Sequence, residues 1–249
     1  MAGAALLGGL SRPAPLRWQV ARIASVRAET PRASTLGLEV PDWPGHRAGQ
    51  HLDVRLTAED GYRAQRSYSI ASHPLDPMLE ITVERLEDGE VSPWLAGEAQ
   101  VGDELELRGP IGGYFVWAPE RGGPLLLIAG GSGLVPLMCI ERLRRAAAPE
   151  IASTLLVSAR RHEDLIYADE LAEDAAIVTY TREQPAGWTG YARRVDGELL
   201  AEVSPPPDQR PRCYVCGPTS FVEVVAEELV ALGHHRALIK TERFGATGG

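Results

Sequence analysis

The stretch Leu125-Leu126-Leu127-Ile128-Ala129-Gly130-Gly131-Ser132-Gly133 decides how the second half of the chain is expected to fold. Its first five residues are a continuous apolar run, which is typical of a parallel β-strand covered on both faces. The glycine loop that follows leads into an apolar helical pattern at Leu137, Ile140 and Leu143. A ligand can approach the backbone of such a loop, and the helix start offers free N–H groups. The stretch therefore predicts an anion site suited to a pyrophosphate.

The glycine loop differs from two common phosphate-binding motifs. Residues 131–136 read Gly-x-Gly-x-x-Pro, whereas the usual dinucleotide fingerprint ends in a third glycine. The loop also lacks the lysine and hydroxyl residue of a P-loop. A tight turn with a purely structural role remains an alternative for this segment.

The rest of the second half alternates between buried strands and helical patterns. Strands are expected at residues 154–157, 176–180, 213–216 and 237–242, and helices at residues 165–171 and 221–232. Strands that alternate with helices predict a doubly wound parallel sheet.

The first half, from about residue 17 to 116, has a different pattern. Apolar and polar residues alternate at 18–26, 51–56 and 79–83, and Gly- and Pro-containing turns separate these runs. Many short alternating strands indicate an antiparallel β-barrel, with one short helix at about residues 91–97. The Pro- and Gly-rich segment 117–124 marks a boundary. We therefore expect an N-terminal extension at 1–16, a barrel domain at 17–118 and an α/β domain at 119–249.

Arginines follow two of the strands expected in the α/β domain. The second strand ends in Ser158-Ala159-Arg160-Arg161, and the third is followed by Thr181-Arg182. The carboxyl ends of parallel strands line one crevice, where a site for NAD often has an acid that binds the ribose hydroxyl. Guanidinium groups in its place would suit a 2′-phosphate. The alternative for each arginine is an ordinary solvated surface position.

Composition excludes several classes of protein. The chain has 249 residues, 44% of them apolar and 24% charged, which is typical of a folded protein and not of a disordered one. Its formal net charge of −9 argues against non-specific binding to nucleic acid. The sequence contains no run of about 18 apolar residues, so no membrane span is predicted.

The number and spacing of the cysteines indicate the cellular compartment and argue against two kinds of metal site. Three cysteines are too few for a disulfide framework and fit a reducing compartment, so a cytoplasmic location is expected. Cys213 and Cys216 form a CxxC, but neither a second CxxC nor a nearby His pair completes a zinc site. Three cysteines also cannot supply the four ligands of an iron–sulfur cluster. No metal is expected.

The N-terminal residues allow two interpretations. Residues 1–10 are small and apolar, and arginines follow with no acid before Glu29. A secretory signal would have positive charge ahead of its apolar core. A transit peptide is the alternative to a simple extension ahead of the first strand.

Six short motifs, in order, resemble the ferredoxin–NADP⁺ reductase superfamily from about residue 17 to 245. They are RSYS at 66–69, DGEVS at 88–92, GPIGGYF at 109–115, GGSG at 130–133, CGP at 216–218 and ERFG at 242–245. Each motif is weak alone, and the order and spacing of all six carry the resemblance. It implies an antiparallel flavin-binding barrel followed by a nucleotide-binding α/β domain.

The resemblance assigns flavin contacts to the barrel half. Arg66 would pair with a flavin phosphate, Tyr68 would stack against the isoalloxazine, and Ser69 would lie near its N5 atom. Val91 and Ser92, at the start of the short helix, would offer backbone N–H groups to the flavin pyrophosphate.

The resemblance also assigns nicotinamide contacts to the α/β half. Cys216 would sit beside the nicotinamide C4, Glu242 near the site of hydride transfer, and Phe244 would cover the flavin's other face. With Ser69, these three form the expected catalytic set. Other residues expected to contact the nicotinamide cofactor are Gly131, Ser132, Gly133, Ser158, Arg160, Arg161, Thr181, Arg182, Gly217 and Pro218.

The resemblance implies an NAD(P)H-dependent flavoprotein reductase. A hydride would pass from NADPH to bound FAD, and the electrons would go on to a separate ferredoxin, flavodoxin or oxygenase component, because three cysteines are too few for a cluster of the chain's own. FMN is the alternative flavin, and NADH the alternative donor. Two other functions stay open, namely reduction of free flavin or small acceptors, and a non-catalytic flavin-binding sensor subunit. A nucleotide hydrolase is disfavoured, since no nucleophile constellation accompanies the glycine loop.

Overall fold

Two β-sheets organise the chain, which is described here from a computed structural model over residues 16–58 and 60–244. Of the N-terminal extension expected at residues 1–16, all but Leu16 lies outside the described residues, as does the final glycine of the ERFG motif. Within these ranges, none of the helices combines the length and apolar character that a bilayer crossing requires.

The first sheet is antiparallel and six-stranded, with the order β4-β3-β6-β1-β2-β5. An isolated antiparallel bridge from Ile70 to Ile81 joins its two edge strands, so that the sheet closes on itself as the predicted barrel. The strands are β1 (Gln19–Thr30), β2 (Ala33–Glu39), β3 (His51–Thr57), β4 (Arg63–Ser69), β5 (Leu79–Glu84) and β6 (Glu104–Ile111). The short helix α1 (Ser92–Gly97) buries Leu95 among the barrel's apolar side chains.

The second sheet is parallel and five-stranded, with the order β11-β10-β7-β8-β9. Its strands are β7 (Leu125–Gly130), β8 (Ser153–Ala159), β9 (Ile177–Tyr180), β10 (Arg212–Pro218) and β11 (Ile239–Phe244). Its helices are α2 (Leu134–Ala147), α3 (Ala168–Glu173), α4 (Gly197–Val203) and α5 (Thr219–Ala231).

The apolar run of β7 explains why helices cover both faces of this sheet. Leu125 and Leu127 pack in a cluster with α2 and α3, while Leu126 and Ile128 pack in a second cluster with α4 and α5. Successive side chains of a strand point to opposite faces, so both sets are removed from water. The predicted doubly wound arrangement is confirmed.

Some predicted boundaries are wrong. The helix expected at residues 165–171 begins only at Ala168, because Tyr167 adopts a left-handed φ of 59° and directs its hydroxyl towards the barrel. The last strand begins at Ile239, since residues 236–238 form a turn of 3₁₀ helix. Strands β2 and β6 and helix α4 were not predicted.

Buried polar contacts join the two sheets. The hydroxyls of Tyr167 and Thr82 lie 2.5 Å apart, and Thr82 also bonds Thr35 at 2.7 Å inside the barrel. On the other side, the Tyr214 hydroxyl donates to the Val116 carbonyl at 3.0 Å. Arg142 of α2 donates to the Ala71 carbonyl at 2.8 Å. Because such groups are costly to bury unpaired, these bonds favour one relative position of the sheets.

Replacing Tyr167 with phenylalanine is expected to lower the free energy of unfolding by about 1–2 kcal/mol, because the hydroxyl of Thr82 loses a buried partner. Urea denaturation followed by fluorescence measures the change. Tyr114→Phe is the matched control, since Tyr114 is 62% exposed and its hydroxyl makes only a 3.5 Å contact. Equal stability of the two variants would contradict the assigned role of Tyr167.

Candidate functional site

The end of two barrel strands meets the carboxyl edge of the parallel sheet. His51 of β3 is the register partner of Ser69 in β4, and Cys216 of β10 is the register partner of Glu242 in β11. The Nδ1 atom of His51 lies 3.9 Å from Oε1 of Glu242, which joins these two pairs. Three residues of the expected catalytic set, Ser69, Cys216 and Glu242, are thus brought together with His51, which is not among the predicted site residues.

Glu242 is a carboxyl group that is largely removed from water. Its side chain is 23% exposed, and within the described residues its Oε2 atom has no hydrogen-bond partner. Burial raises the pKa of Glu242 to about 7. Burial also lowers the pKa of His51, against a smaller opposing effect of Asp53. Near neutral pH, Glu242 and His51 are therefore able to hold a proton between them without both side chains being fully charged.

Cys216 is a buried thiol. Burial raises its pKa well above the usual value, and the nearby carboxyl of Glu242 adds to the effect. A thiol that stays protonated is a poor nucleophile, and its side chain packs in the apolar cluster beneath the sheet edge. Cys213 lies in the cluster on the opposite face of the same strand, so the two side chains of the CxxC cannot bind one metal ion.

The glycine loop lies against the CGP motif. A Cβ atom added to Gly133 would lie only 2.2 Å from the Cys216 carbonyl oxygen, which explains why this position has no side chain. Gly131 has a φ of +55°, and an added Cβ there would meet nothing within 4 Å. The 14-residue helix α2 follows with no side chain capping its first turn. The loop therefore presents open backbone and helix N–H groups where an anion can bind.

The remaining residues expected around the nicotinamide cofactor line the same edge. Ser158 is the register partner of Gly130, and Pro218 is the register partner of Phe244. Phe244 is half-buried and packs against the apolar cluster that contains Cys216. Ser132 is half-exposed, and Gly217 is buried.

The arginines near the ends of β8 and β9 are not equivalent. The N–H of Arg182 donates to the carbonyl of Arg160 at 3.0 Å, and the N–H of Thr181 donates to the carbonyl of Ala159 at 3.0 Å. Arg160 and Arg182 are exposed and, in the described part of the chain, have no carboxylate within 4.0 Å.

Arg161 differs from its two neighbours because carboxylates already surround it. It lies 2.9 Å from Glu163 and 3.5 Å from Glu183, and the hydrogen bond that it donates to Glu163 raises its pKa. The three expected phosphate-binding arginines are thus brought close together, but only Arg160 and Arg182 are without acidic partners among the described residues.

The RSYS motif in β4 forms the other wall. Arg66 and Tyr68 share a face of the strand by alternation, and Ser69 is buried where the strand ends. Burial raises the pKa of Tyr68, so its phenol is neutral. Arg66 is bonded to Glu90 at 2.6 Å.

The start of α1 lies beside the Arg66–Glu90 pair. Val91 and Ser92 are buried, and Val91, which precedes the helix, has no side-chain acceptor to cap it. Ser92 Oγ accepts from the N–H of Leu86 at 3.1 Å. A groove of about 590 Å³ adjoins this segment, and its lining combines apolar side chains with polar and charged ones that include Tyr62 and Glu90. The apolar lining residues include Leu56, Ala64, Trp94 and Leu105.

Two residues near this site, His51 and Glu90, are not among the predicted site residues, although each lies in a stretch with a predicted role. His51 opens a predicted strand, and Glu90 is the third residue of DGEVS. Their polar side chains were the only available signal. Within the described ranges, no three His, Cys, Asp or Glu side chains gather as metal ligands.

Comparison with known proteins matches both halves of the chain. An oxidoreductase FAD-binding domain model matches residues 20–116, and an oxidoreductase NAD-binding domain model matches residues 127–227. The chain is 33% identical over 213 residues to the glycine betaine monooxygenase reductase subunit of Chromohalobacter salexigens, covering 80% of this chain and 56% of that protein. It is 32% identical to the NADH oxidoreductase HCR of Escherichia coli, covering 88% and 65%. The chain thus spans between half and two thirds of the length of these relatives.

Solved structures agree with this match. The flavohem-like FAD/NAD-binding domain of nitric oxide dioxygenase from Vibrio cholerae superposes with a TM-score of 0.80 at 26% identity, covering 91% of this chain and 98% of that one. The ferredoxin reductase of carbazole 1,9a-dioxygenase also gives a TM-score of 0.80, at 25% identity, covering 94% and 71%. With both domain models in sequence order and this fold, the chain belongs to the ferredoxin–NADP⁺ reductase superfamily.

Proposed function

We propose that this chain takes a hydride from NADPH onto bound FAD and passes the electrons to a separate acceptor. The observation that carries the proposal is the meeting of Ser69 and His51, from the barrel, with Cys216 and Glu242, from the parallel sheet. Hydride transfer requires two rings to be held in near-contact, and a junction between two binding domains can provide that alignment. When bound, the flavin would supply the chemistry that converts a two-electron donor into single-electron steps.

The barrel residues fit a flavin with two phosphates. Arg66 offers a guanidinium, and the uncapped start of α1 at Val91 and Ser92 offers backbone N–H groups. The adjoining groove has a volume in the range of small-molecule sites, which gives the adenosine half of FAD a place that FMN would not need. Tyr68 would present its ring to the isoalloxazine, and Ser69 would lie near its reacting edge.

The α/β residues fit a nicotinamide dinucleotide. Gly131 and Gly133 leave the loop backbone accessible for a pyrophosphate at the start of α2. Cys216 would pack beside the nicotinamide as a soft, neutral side chain, and Phe244 would cover the flavin from the other domain.

Arg182→Ala is expected to raise the KM for NADPH by about 10-fold or more and to leave the KM for NADH almost unchanged, because a charge-assisted bond to the 2′-phosphate contributes roughly 1.5–3 kcal/mol. Steady-state reduction of ferricyanide with each donor measures the two values. Arg236→Ala, another exposed arginine, is the control. Equal losses with both donors would remove Arg182 from the 2′-phosphate site.

Glu242 and His51 would hold or accept a proton beside the reacting rings. The carboxyl of Glu242, with its pKa of about 7, exists in both protonation states at neutral pH.

The raised pKa of Glu242 predicts how stability depends on pH. The folded protein binds a proton at Glu242 up to about pH 7, whereas the unfolded chain releases it near the ordinary value of 4.5. Stability therefore falls as pH rises from about 4.5 to 7, by at most about 3 kcal/mol from this group. Glutamine at position 242 stays neutral at every pH. The melting temperature of Glu242→Gln minus that of the parent protein should therefore be higher at pH 8 than at pH 5. The same difference between the two proteins at both pH values would contradict the assignment.

A separate electron acceptor is proposed from the relatives. One relative is the reductase subunit of a monooxygenase, and one structural neighbour is the ferredoxin reductase of a dioxygenase system. By analogy, the acceptor of this chain would be an oxygenase component, a ferredoxin or a flavodoxin.

Anaerobic addition of NADPH, and separately of NADH, to the purified protein tests the proposal. We expect a yellow protein whose flavin bands bleach on addition of NADPH, with a smaller response to NADH. Stoichiometric colour after gel filtration would favour the reductase with resident flavin over a reductase of free flavin. Bound flavin that neither nucleotide bleaches would indicate the non-catalytic sensor and contradict the proposal.

A further inference from the structure

Arg66, the proposed partner of the flavin phosphate, already has an anionic partner in the protein. Its Nη2 atom lies 2.6 Å from Oε2 of Glu90, and the hydroxyl of Tyr62 donates to Oε1 of the same carboxylate. Glu90 belongs to the DGEVS segment and directly precedes Val91 and Ser92, the other proposed phosphate contacts. A negative side chain therefore lies where a diphosphate would have to bind.

The charge of Glu90 persists across the neutral pH range. The hydrogen bonds from Tyr62 and Arg66 lower its pKa below the ordinary value of a glutamate. A carboxylate and a phosphate both bind guanidinium groups through charge-assisted hydrogen bonds, so they compete for the same nitrogen atoms. They also repel each other at short distance.

The pair can be opened without unfolding its surroundings. The side chains of Arg66 and Glu90 are 39% and 43% exposed, and ion pairs this exposed contribute little to stability. Tyr62, the other hydrogen-bond partner of the Glu90 carboxylate, is 57% exposed. The contact is therefore weak enough to be exchanged and close enough to oppose the incoming phosphate.

We propose that Glu90 is an internal competitor for Arg66 that sets how tightly this protein holds its flavin diphosphate. The inference rests on the proposed binding of flavin at Arg66 and adds a residue that determines affinity. Binding of FAD displaces the carboxylate from the guanidinium, and return of the carboxylate assists release. The site therefore holds FAD less tightly than the same site with a neutral residue at position 90.

Dilution of the FAD-loaded full-length protein tests this inference, because free FAD regains fluorescence as it leaves the site. Glu90→Gln keeps the size of the side chain and removes its charge. We expect its dissociation constant for FAD to fall by about threefold to tenfold, from the loss of one competing and repelling charge. Displacement of FAD by riboflavin, which has no phosphate, should give the same riboflavin affinity in both proteins.

Glu87→Gln is the matched control. Glu87 is an exposed glutamate three residues earlier in the chain, with Arg32 at 3.5 Å and Arg85 at 3.8 Å as its partners. Its substitution removes the same charge from the same segment without freeing Arg66, so its dissociation constant for FAD should stay within about twofold of the parent value.

A double variant separates competition from simple repulsion. In an Arg66→Gln background the carboxylate has no guanidinium to occupy and only its repulsion of the diphosphate remains, so Glu90→Gln should lower the dissociation constant for FAD by about twofold at most, less than in the parent protein. The inference is overturned if Glu90→Gln leaves or weakens FAD affinity, if riboflavin binding tightens equally, or if the full effect persists without Arg66. If the parent protein binds no flavin at all, both this inference and the proposed function are wrong. If Glu90→Gln binds FAD with the affinity of the parent protein, only the role of Glu90 is wrong.

Discussion

The buried hydrogen bond between the hydroxyls of Tyr167 and Thr82 is the contact on which the arrangement of the site depends. It links the α/β half to the interior of the barrel, where Thr82 is further bonded to Thr35. If the sheets separated, these hydroxyls would either bond to water or stay unpaired, and a buried hydroxyl without a partner is destabilising. The bonds from Tyr214 and Arg142 act on other parts of the same interface. The position of Glu242 beside His51 follows from this docking and not from either sheet alone.

Much of the fold could be predicted because its signals are local. The apolar run at residues 125–129, the glycine loop and the alternating strands each occupy a few adjacent residues, and each is present in the structure. Strand β2 was missed because Gly37 interrupts its pattern, and β6 because it runs into Gly109 and Pro110. Helix α4 had a usable signal in Asp196, whose carboxylate accepts from the N–H of Leu199 at 3.0 Å.

The site was less predictable because its decisive contacts join distant parts of the chain. His51 and Glu242 are at opposite ends of the sequence, and only the docking of the two sheets brings them to 3.9 Å. The partners of charged groups were equally hidden. Arg161 and Arg160 are adjacent in sequence, yet only Arg161 lies between two carboxylates. Motifs indicate which residue types are present, whereas the electrostatic environment of each depends on tertiary contacts.

The opposite orientations of Cys213 and Cys216 in β10 have a consequence for the chemistry of the two thiols. Three residues of an extended strand separate their Cα atoms by roughly 10 Å, well beyond the limit of about 7 Å for a disulfide. Burial also raises the pKa of Cys213 to about 12 and keeps Cys216 protonated. Any oxidant that reached the strand during the proposed electron transfer would encounter two thiols that cannot bond to each other while the strand is intact and that seldom ionise. The strand next to the proposed hydride-transfer site is thereby protected from an internal disulfide.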